Sequence, residues 1–590
     1  MICLNSFATF EYNENSINEL LLILIDKYPL YFQEVERIRK IICLFKIKES
    51  DLITLIIESD HIDRQYRDSY YSYFSQKYSD FEHNCFRLAF FEGELKHTDF
   101  MLDISKIEKE CFIGTIVLRP LNVGNIGHTL LNPHKLKITG YIQTCNFEVL
   151  ICGRKLVISA FPYLSQDNET MTCAETSLFN LIQYYSEKYC EYRLLMPSEI
   201  LKTLEESSYE RVLPSPGVDD VCMAKVLLSA HLHPRLYSFD NENQEEFEDL
   251  FYTYVESGIP FILGLPQHAV ICIGHSSVDF AISHHEIEEI ITYDIIEGQK
   301  IYYISTSSLV DEYIFMDDNQ VPYVVSTIDK LTIQYYENSS YFGEIDDENN
   351  EEDLGDNLSE GQIEYSEEIL DRMKRRFDSL VVPLYRRVFL DASRAKSIFD
   401  ENFLKNPDFI KKIQRAYDEN SWGSNKNNPL VYRMYLASSN SYKDFRCRMA
   451  SNTEIFNYYS SQSYPRFIWV LEIGTISTFS EKKARVEVLL DATSSINSDT
   501  WAILSVKYKK HLVFVPNVII RMQKEQVLEK NVYDSKESVN QDYSSIDWEQ
   551  INENVKQKVL EEIFKSLYYN PNNFVDDSYK IFSNSNLKEI

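Results

Sequence analysis

The stretch Phe161-Pro-Tyr-Leu-Ser-Gln166-Asp-Asn-Glu-Thr-Met-Thr172-Cys173-Ala-Glu175-Thr-Ser-Leu-Phe-Asn180 decides the reading of this chain. Thr172 and Glu175 stand three apart, just ahead of Leu178, Leu181, Ile182 and Tyr185 at helical spacing. That is a capping box opening an amphipathic helix over 172–186, and it puts Cys173 at the first helical position. The N–H groups there have no partner inside the helix, and the positive end of the helix dipole favours a thiolate, the form of cysteine that attacks a carbonyl carbon. Gln166 lies upstream in the entering loop. Its side-chain amide can donate to an oxyanion, as can the backbone N–H of Cys173. The same residues would also suit a small apolar cysteine in a packed helix and a surface glutamine, so the chemistry needs partners elsewhere.

Two other segments supply them. Gly258-Ile-Pro-Phe-Ile-Leu-Gly-Leu-Pro266-Gln-His268-Ala-Val-Ile-Cys-Ile-Gly274-His275 is an apolar run, a proline break and a strand that begins with His268. A histidine at the mouth of a strand can point its ring into a cleft while the strand fixes its backbone; in an apolar strand it can equally be a satisfied core residue. Tyr313-Ile-Phe-Met-Asp317-Asp318-Asn319-Gln-Val-Pro322 is a strand that delivers a carboxylate at its end. Asp317 could accept from the imidazole and fix its tautomer, completing a nucleophile–base–orienter set. Asp-Asp-Asn before proline is also plain turn chemistry. Alternation along the strand predicts Asp317 on the side of His268, with Asp318 on the opposite side. Asp318 and Asn319 remain rivals for the orienting role, and Asp279 is a weaker one.

The order Gln, Cys opening a helix, His beginning a strand that ends in Gly, then a strand ending in Asp resembles the papain-like cysteine peptidases, most closely their bacterial C39-like branch. The matching residues are Gln166, Cys173, His268 with Ala269–Gly274, and Asp317, within about 160–325. The resemblance implies a papain-like core and cleavage of a peptide bond in a protein or peptide substrate. In it Cys173 would be the nucleophile, His268 the general base and then acid, Asp317 the orienter and Gln166 an oxyanion donor. It implies no metal and no organic cofactor. The chain departs from the pattern at Ala174, where many C39 peptidases have glycine, and at Gln267 before the histidine. The 49 residues from His268 to Asp317 exceed the family's usual spacing and imply an insertion around 276–310. Isopeptidase, transglutaminase, acyltransferase or deamidase chemistry would use the same three residues. A catalytically silent scaffold that binds a partner through its flanks is the alternative from another class.

The composition supports a large soluble protein. The chain has 590 residues, 44% of them apolar and 25% charged, room for three or four domains. With 59 basic against 91 acidic residues the net charge is −32, which repels nucleic acid and anionic lipid, so neither is an expected partner. The 11 cysteines form no CxxC pair, which argues against a disulfide framework and a structural zinc site and for a reducing, cytoplasmic setting. No stretch reaches the ~18 apolar residues of a membrane helix. Walker, GxGxxG, HExxH and GxSxG motifs are absent. His231 and His233 have no clear third ligand, and His284–His285 with nearby glutamates read as a solvated loop.

The expected fold class is α+β: an α/β N-terminal region at 1–150, a papain-like core at 151–340, and an α+β C-terminal domain at 369–590. The segment 344–368, with 12 acidic residues and no Lys or Arg, marks the boundary as a loop or linker. Residues 1–60 read as helices, 66–91 as an aromatic helix and strand packed as core, and 367–390 as a helix.

Overall fold

The computed structural model describes residues 6–96, 98–101, 107–207, 212–213, 215, 217–238, 244–278, 290–337, 379–450, 453–494, 502–509, 511–514, 579–580 and 587–589. The acidic segment 344–368, Asp279, His284–His285 and the helix expected around Trp548–Leu567 lie outside these residues.

The architecture is mixed helix and sheet. Residues 6–131 carry a five-stranded antiparallel meander: Ser6–Glu11, Leu52–His61, Cys85–Glu92, Phe112–Leu118 and Leu130–Leu131. Helices Glu14–Lys27 and Val35–Cys43 connect its first two strands. The all-helical expectation for 1–60 is therefore corrected. Leu52-Ile-Thr-Leu-Ile-Ile57 is a β-branched run whose side chains are buried from Ile53 to Ile56, so strand pairing outweighs any helical spacing. The aromatic stretch packs as expected: helix Arg64–Ser72 and strand Cys85–Glu92 meet in a cluster of Tyr66, Phe74, Cys85, Val117 and Leu121.

The central sheet runs in the order Val324–Ser326, Tyr313–Met316, His268–His275, Phe261–Leu265, Ser379–Leu384, His233–Ser238, and every pairing is antiparallel. Tyr141–Gln143 joins at the Gly274 end of His268–His275. A Cβ at Gly274 would collide with the Tyr141 carbonyl, so only glycine admits this third neighbour. Helix Cys173–Lys188 lies on the sheet with Ala174–Tyr185 buried. Ser177 Oγ donates to the Ala269 carbonyl (3.1 Å), tying the first turns of that helix to the residue after His268.

A seven-stranded sheet follows: Thr292–Ile296, Gln299–Ser305, Leu430–Ser438, Phe467–Gly474, Val486–Asp491, Ile503–Tyr508 and His511–Phe514. The insertion expected at 276–310 contributes its first hairpin, and Gln299–Ser305 pairs parallel with Leu430–Ser438. The long His268–Asp317 spacing thus holds an edge hairpin of a different sheet. The segment 379–384 (Ser-Leu-Val-Val-Pro-Leu), expected to be helical, is instead a buried strand between Phe261–Leu265 and His233–Ser238. Strands on both sides of 340–369 therefore share sheets, and one continuous apolar core reaches from Tyr12 to Tyr508.

Candidate functional site

The loop that carries Gln166 is shaped by its neighbour. Asp167 Oδ1 accepts the backbone N–H groups of Glu169 (2.9 Å), Thr170 (2.7 Å) and Met171 (2.9 Å), and its Oδ2 accepts the Thr170 hydroxyl (2.6 Å). Buried Arg119 donates to the Ser165 carbonyl (2.7 Å) and faces Asp167 at 4.0 Å. The chain then enters the helix through Thr172, in extended conformation. Glu175 accepts the Thr172 N–H (3.1 Å) and its hydroxyl, and a second oxygen of Glu175 takes the Ser215 hydroxyl. Cys173 is the first helical residue and stays partly exposed, whereas the next twelve are buried.

His268 opens its strand directly after a tight turn: Leu265 and His268 pair across Pro266-Gln267, and Gln267 adopts φ +56°. Its Nε2 lies 3.0 Å from Asp317 Oδ1. The Cys173 side chain is another polar group beside the ring, and its proximity raises the imidazole's pKa. With Nε2 directed at Asp317, the remaining ring nitrogen, Nδ1, is the one left for the thiol. The structure thus brings Cys173, His268 and Asp317 together in one chain of contacts.

Asp317 follows the last paired residue of Tyr313–Met316 and is fully buried. Besides His268, it accepts the Asn319 N–H on Oδ1 (2.9 Å) and the Tyr335 hydroxyl on Oδ2. Gln166 joins through Asn319, to whose Oδ1 its Nε2 donates at 2.6 Å.

Asp318 departs from expectation. Strand pairing ends at Met316, and the Gln320 N–H bonds the Asp317 carbonyl (3.1 Å) in a turn. Alternation therefore stops one residue early, and Asp318 swings to the same ring instead of the opposite side. Its Oδ1 is 3.5 Å from His268 Nε2, its side chain is 2% exposed, and neither carboxylate oxygen has a hydrogen-bond partner. Its backbone carbonyl accepts Arg37 Nη1 (3.1 Å) and the Tyr163 hydroxyl (3.4 Å), which brings the helix Val35–Cys43 to the site.

The electrostatics follow from this crowding. Burial alone would lower the His268 pKa, but hydrogen bonds to Asp317 and Cys173 and the charges of Asp317 and Asp318 outweigh it and raise it to about 10. Asp317, pushed up by burial, is nonetheless held below the usual carboxylate range by His268 and Tyr335. Asp318 has burial and the Asp317 charge against the attraction of His268, and rises to about 7. The imidazole is therefore cationic near neutral pH.

Sequence reasoning missed Tyr335, Arg37 and Tyr163. Tyr335, on helix Ile328–Glu337, stacks its ring on His268 with centroids 4.1 Å apart and planes 20° from parallel. No local spacing marks it, because the contact depends on how that helix returns to the sheet. Comparison with protein-family models, with curated proteins and with solved structures finds no match to this chain.

Proposed function

We propose that the chain is a cysteine hydrolase with a papain-like core, cleaving a peptide bond through Cys173, His268 and Asp317. The observation that carries this reading is the placement of a partly exposed thiol at a helix N-terminus and a buried carboxylate on the two sides of one imidazole. The antiparallel pairing of the His268 and Asp317 strands, with the Cys173 helix packed against them, also supports it.

The reacting form has the proton on His268 and the thiolate on Cys173. Sγ attacks the acyl carbon, and the carbonyl electrons move onto oxygen. The N-terminal N–H of Cys173 faces that oxyanion, and Gln166 holds one amide N–H on Asn319, leaving the second for it. His268 Nδ1 gives its proton to the leaving amine as the C–N bond breaks. Water then attacks the thioester while His268 takes one of its protons, and the C–S bond breaks to return the thiolate. Asp317 keeps Nε2 protonated and the ring in place throughout; it does not itself take the proton.

The test is to incubate the full chain with a peptidyl acyloxymethyl ketone and measure intact mass. One adduct, mapped to Cys173 and lost in His268→Ala, supports the reading. Labelling spread over several cysteines, or unchanged in His268→Ala, overturns it.

A further inference from the structure

The carboxylate of Asp318 meets His268 Nε2 at 3.5 Å but accepts no hydrogen bond, and it calls for a physical account because a buried carboxylate without donors is costly. Among the described residues, His268, Asp317 and Asp318 form a group whose donor atoms all lie within 4.8 Å of one another, and all three side chains are buried. We propose that these three residues form a binding site for a divalent transition-metal cation of the zinc type, and that the bound cation inhibits the hydrolase. The inhibitory half rests on the function proposed above; the binding half does not.

The geometry is already that of a coordination edge. Metal–ligand bonds of about 2.0–2.2 Å leave neighbouring donor atoms roughly 3.0–3.5 Å apart. His268 Nε2 is 3.0 Å from Asp317 Oδ1 and 3.5 Å from Asp318 Oδ1. One imidazole nitrogen with two carboxylate oxygens is a donor set that suits zinc, cobalt or manganese, whereas calcium and magnesium prefer oxygen alone. The Tyr335 hydroxyl holds Asp317 by Oδ2 and the Asn319 N–H holds it by Oδ1, as outer partners orient metal ligands. Asp318 contributes the charge that the His268–Asp317 pair does not use. Arg37 reaches Asp318 at its backbone carbonyl, at 3.1 Å, and pairs with Glu34 at 3.4 Å.

Binding exchanges one proton for one cation. The metal takes the Nε2 lone pair, and the Nε2 proton leaves to solvent. Nδ1 then carries the only ring proton. Giving it to a leaving amine would turn the ring into a metal-bound imidazolate rather than a neutral imidazole, so acylation of Cys173 slows. Removing the metal lets Nε2 take its proton back.

The experiment uses the full chain stripped with EDTA, titrated with zinc chloride by calorimetry and with cobalt(II) by visible absorption. The expected result is one cation per chain in the wild type and in Cys173→Ala. In Asp318→Asn binding should weaken at least ~10-fold, since even an outer-shell change commonly costs that much. Circular dichroism checks that the variant is folded, and Asp318→Ala read the same way covers an amide that does not fold. No stoichiometric binding would overturn the proposal. So would binding lost in Cys173→Ala but kept in Asp318→Asn, which would place the cation on the thiol–imidazole pair. Zinc should also slow labelling of Cys173 by the ketone, with EDTA restoring it; binding without slowing would overturn the inhibitory half. A chain that binds zinc through Asp318 but never labels at Cys173 would sink the hydrolase reading and leave the metal site standing. A chain that labels but does not bind would do the reverse.

Discussion

Tyr335 holds His268 and Asp317 at once: its ring lies 4.1 Å over the imidazole, and its hydroxyl donates to Asp317 Oδ2. The residue that orients the imidazole is thus itself oriented, from a helix that follows the Asp317 strand in the chain. The two contacts can be separated. Tyr335→Phe keeps the stack and removes the hydroxyl, so acylation of Cys173 should fall roughly 10–30-fold, the lower part of what one hydrogen bond to a charged group is worth. Tyr335→Ala removes both and should fall further, by roughly 10²-fold. The measurement is the rate of ketone labelling as a function of pH. A purely structural role would lower thermal stability without moving the pH profile, and Phe, which keeps the stacked ring, would then restore wild-type labelling.

The two adjacent carboxylates differ in what they touch. Asp317 is bonded by His268, Asn319 and Tyr335, whereas Asp318 approaches the same nitrogen at 3.5 Å without a hydrogen bond. In EDTA, Asp317→Asn should reduce acylation by ~10²–10⁴, by analogy with the orienting acid of other triads. Asp318→Asn should cost less than ~10-fold under the same conditions. The reverse order would move the orienting role to Asp318, and two fully active variants would leave a Cys–His pair.

Cys173 differs from the other cysteines by position rather than by exposure alone. Cys43 and Cys190 are more exposed, yet among the described cysteines Cys173 is the one that stands at a helix N-terminus beside an imidazole. Brief alkylation near neutral pH, read by peptide mass spectrometry, should modify Cys173 well ahead of Cys43 and Cys190. Cys173→Ala should leave the melting temperature close to wild type, because the Thr172–Glu175 cap remains, while abolishing turnover. Faster labelling at Cys43 would contradict the assignment.

How far the sequence reached is visible at these residues. The capping box, the strand that starts at His268 and the strand that ends before Asp317 are local patterns, and they place three groups that meet in space. The side of Asp318 was lost because alternation holds only while a strand is paired, and pairing stops at Met316. The helix expected over 367–390 gives way to a strand at Ser379–Leu384, because that buried position between two strands is set by residues more than a hundred positions away. The insertion after Gly274 could be counted from spacing, but nothing in it signals that Gln299–Ser305 joins Leu430–Ser438. Tyr335 and Arg37 reach the site through tertiary packing, for which one sequence carries no period.

The far end of the His268 strand carries the last prediction. His275 Nε2 is 2.9 Å from Glu256 Oε2, and Glu256 Oε1 accepts Arg433 Nε at 2.7 Å. Arg433 Nη1 also reaches Glu472 at 2.9 Å. This buried network joins the central sheet to the seven-stranded sheet through helix Gln244–Glu256. Burial alone would raise the Glu256 pKa, but the Arg433 charge and the His275 hydrogen bond lower it to about 2. A carboxyl whose folded pKa is depressed stabilises the fold above its unfolded pKa, near 4.5, and that contribution is lost as pH falls towards about 2. Glu256→Gln leaves Arg433 with one buried carboxylate fewer, so it should destabilise the chain by about 3–5 kcal/mol at pH 7. The gap between wild type and variant should shrink as the pH is lowered from 5 to 2.5, because protonation then removes the same charge from the wild type. Urea unfolding at a series of pH values reads both quantities. A gap that stays constant across that window would mean that Glu256 contributes by packing rather than by charge.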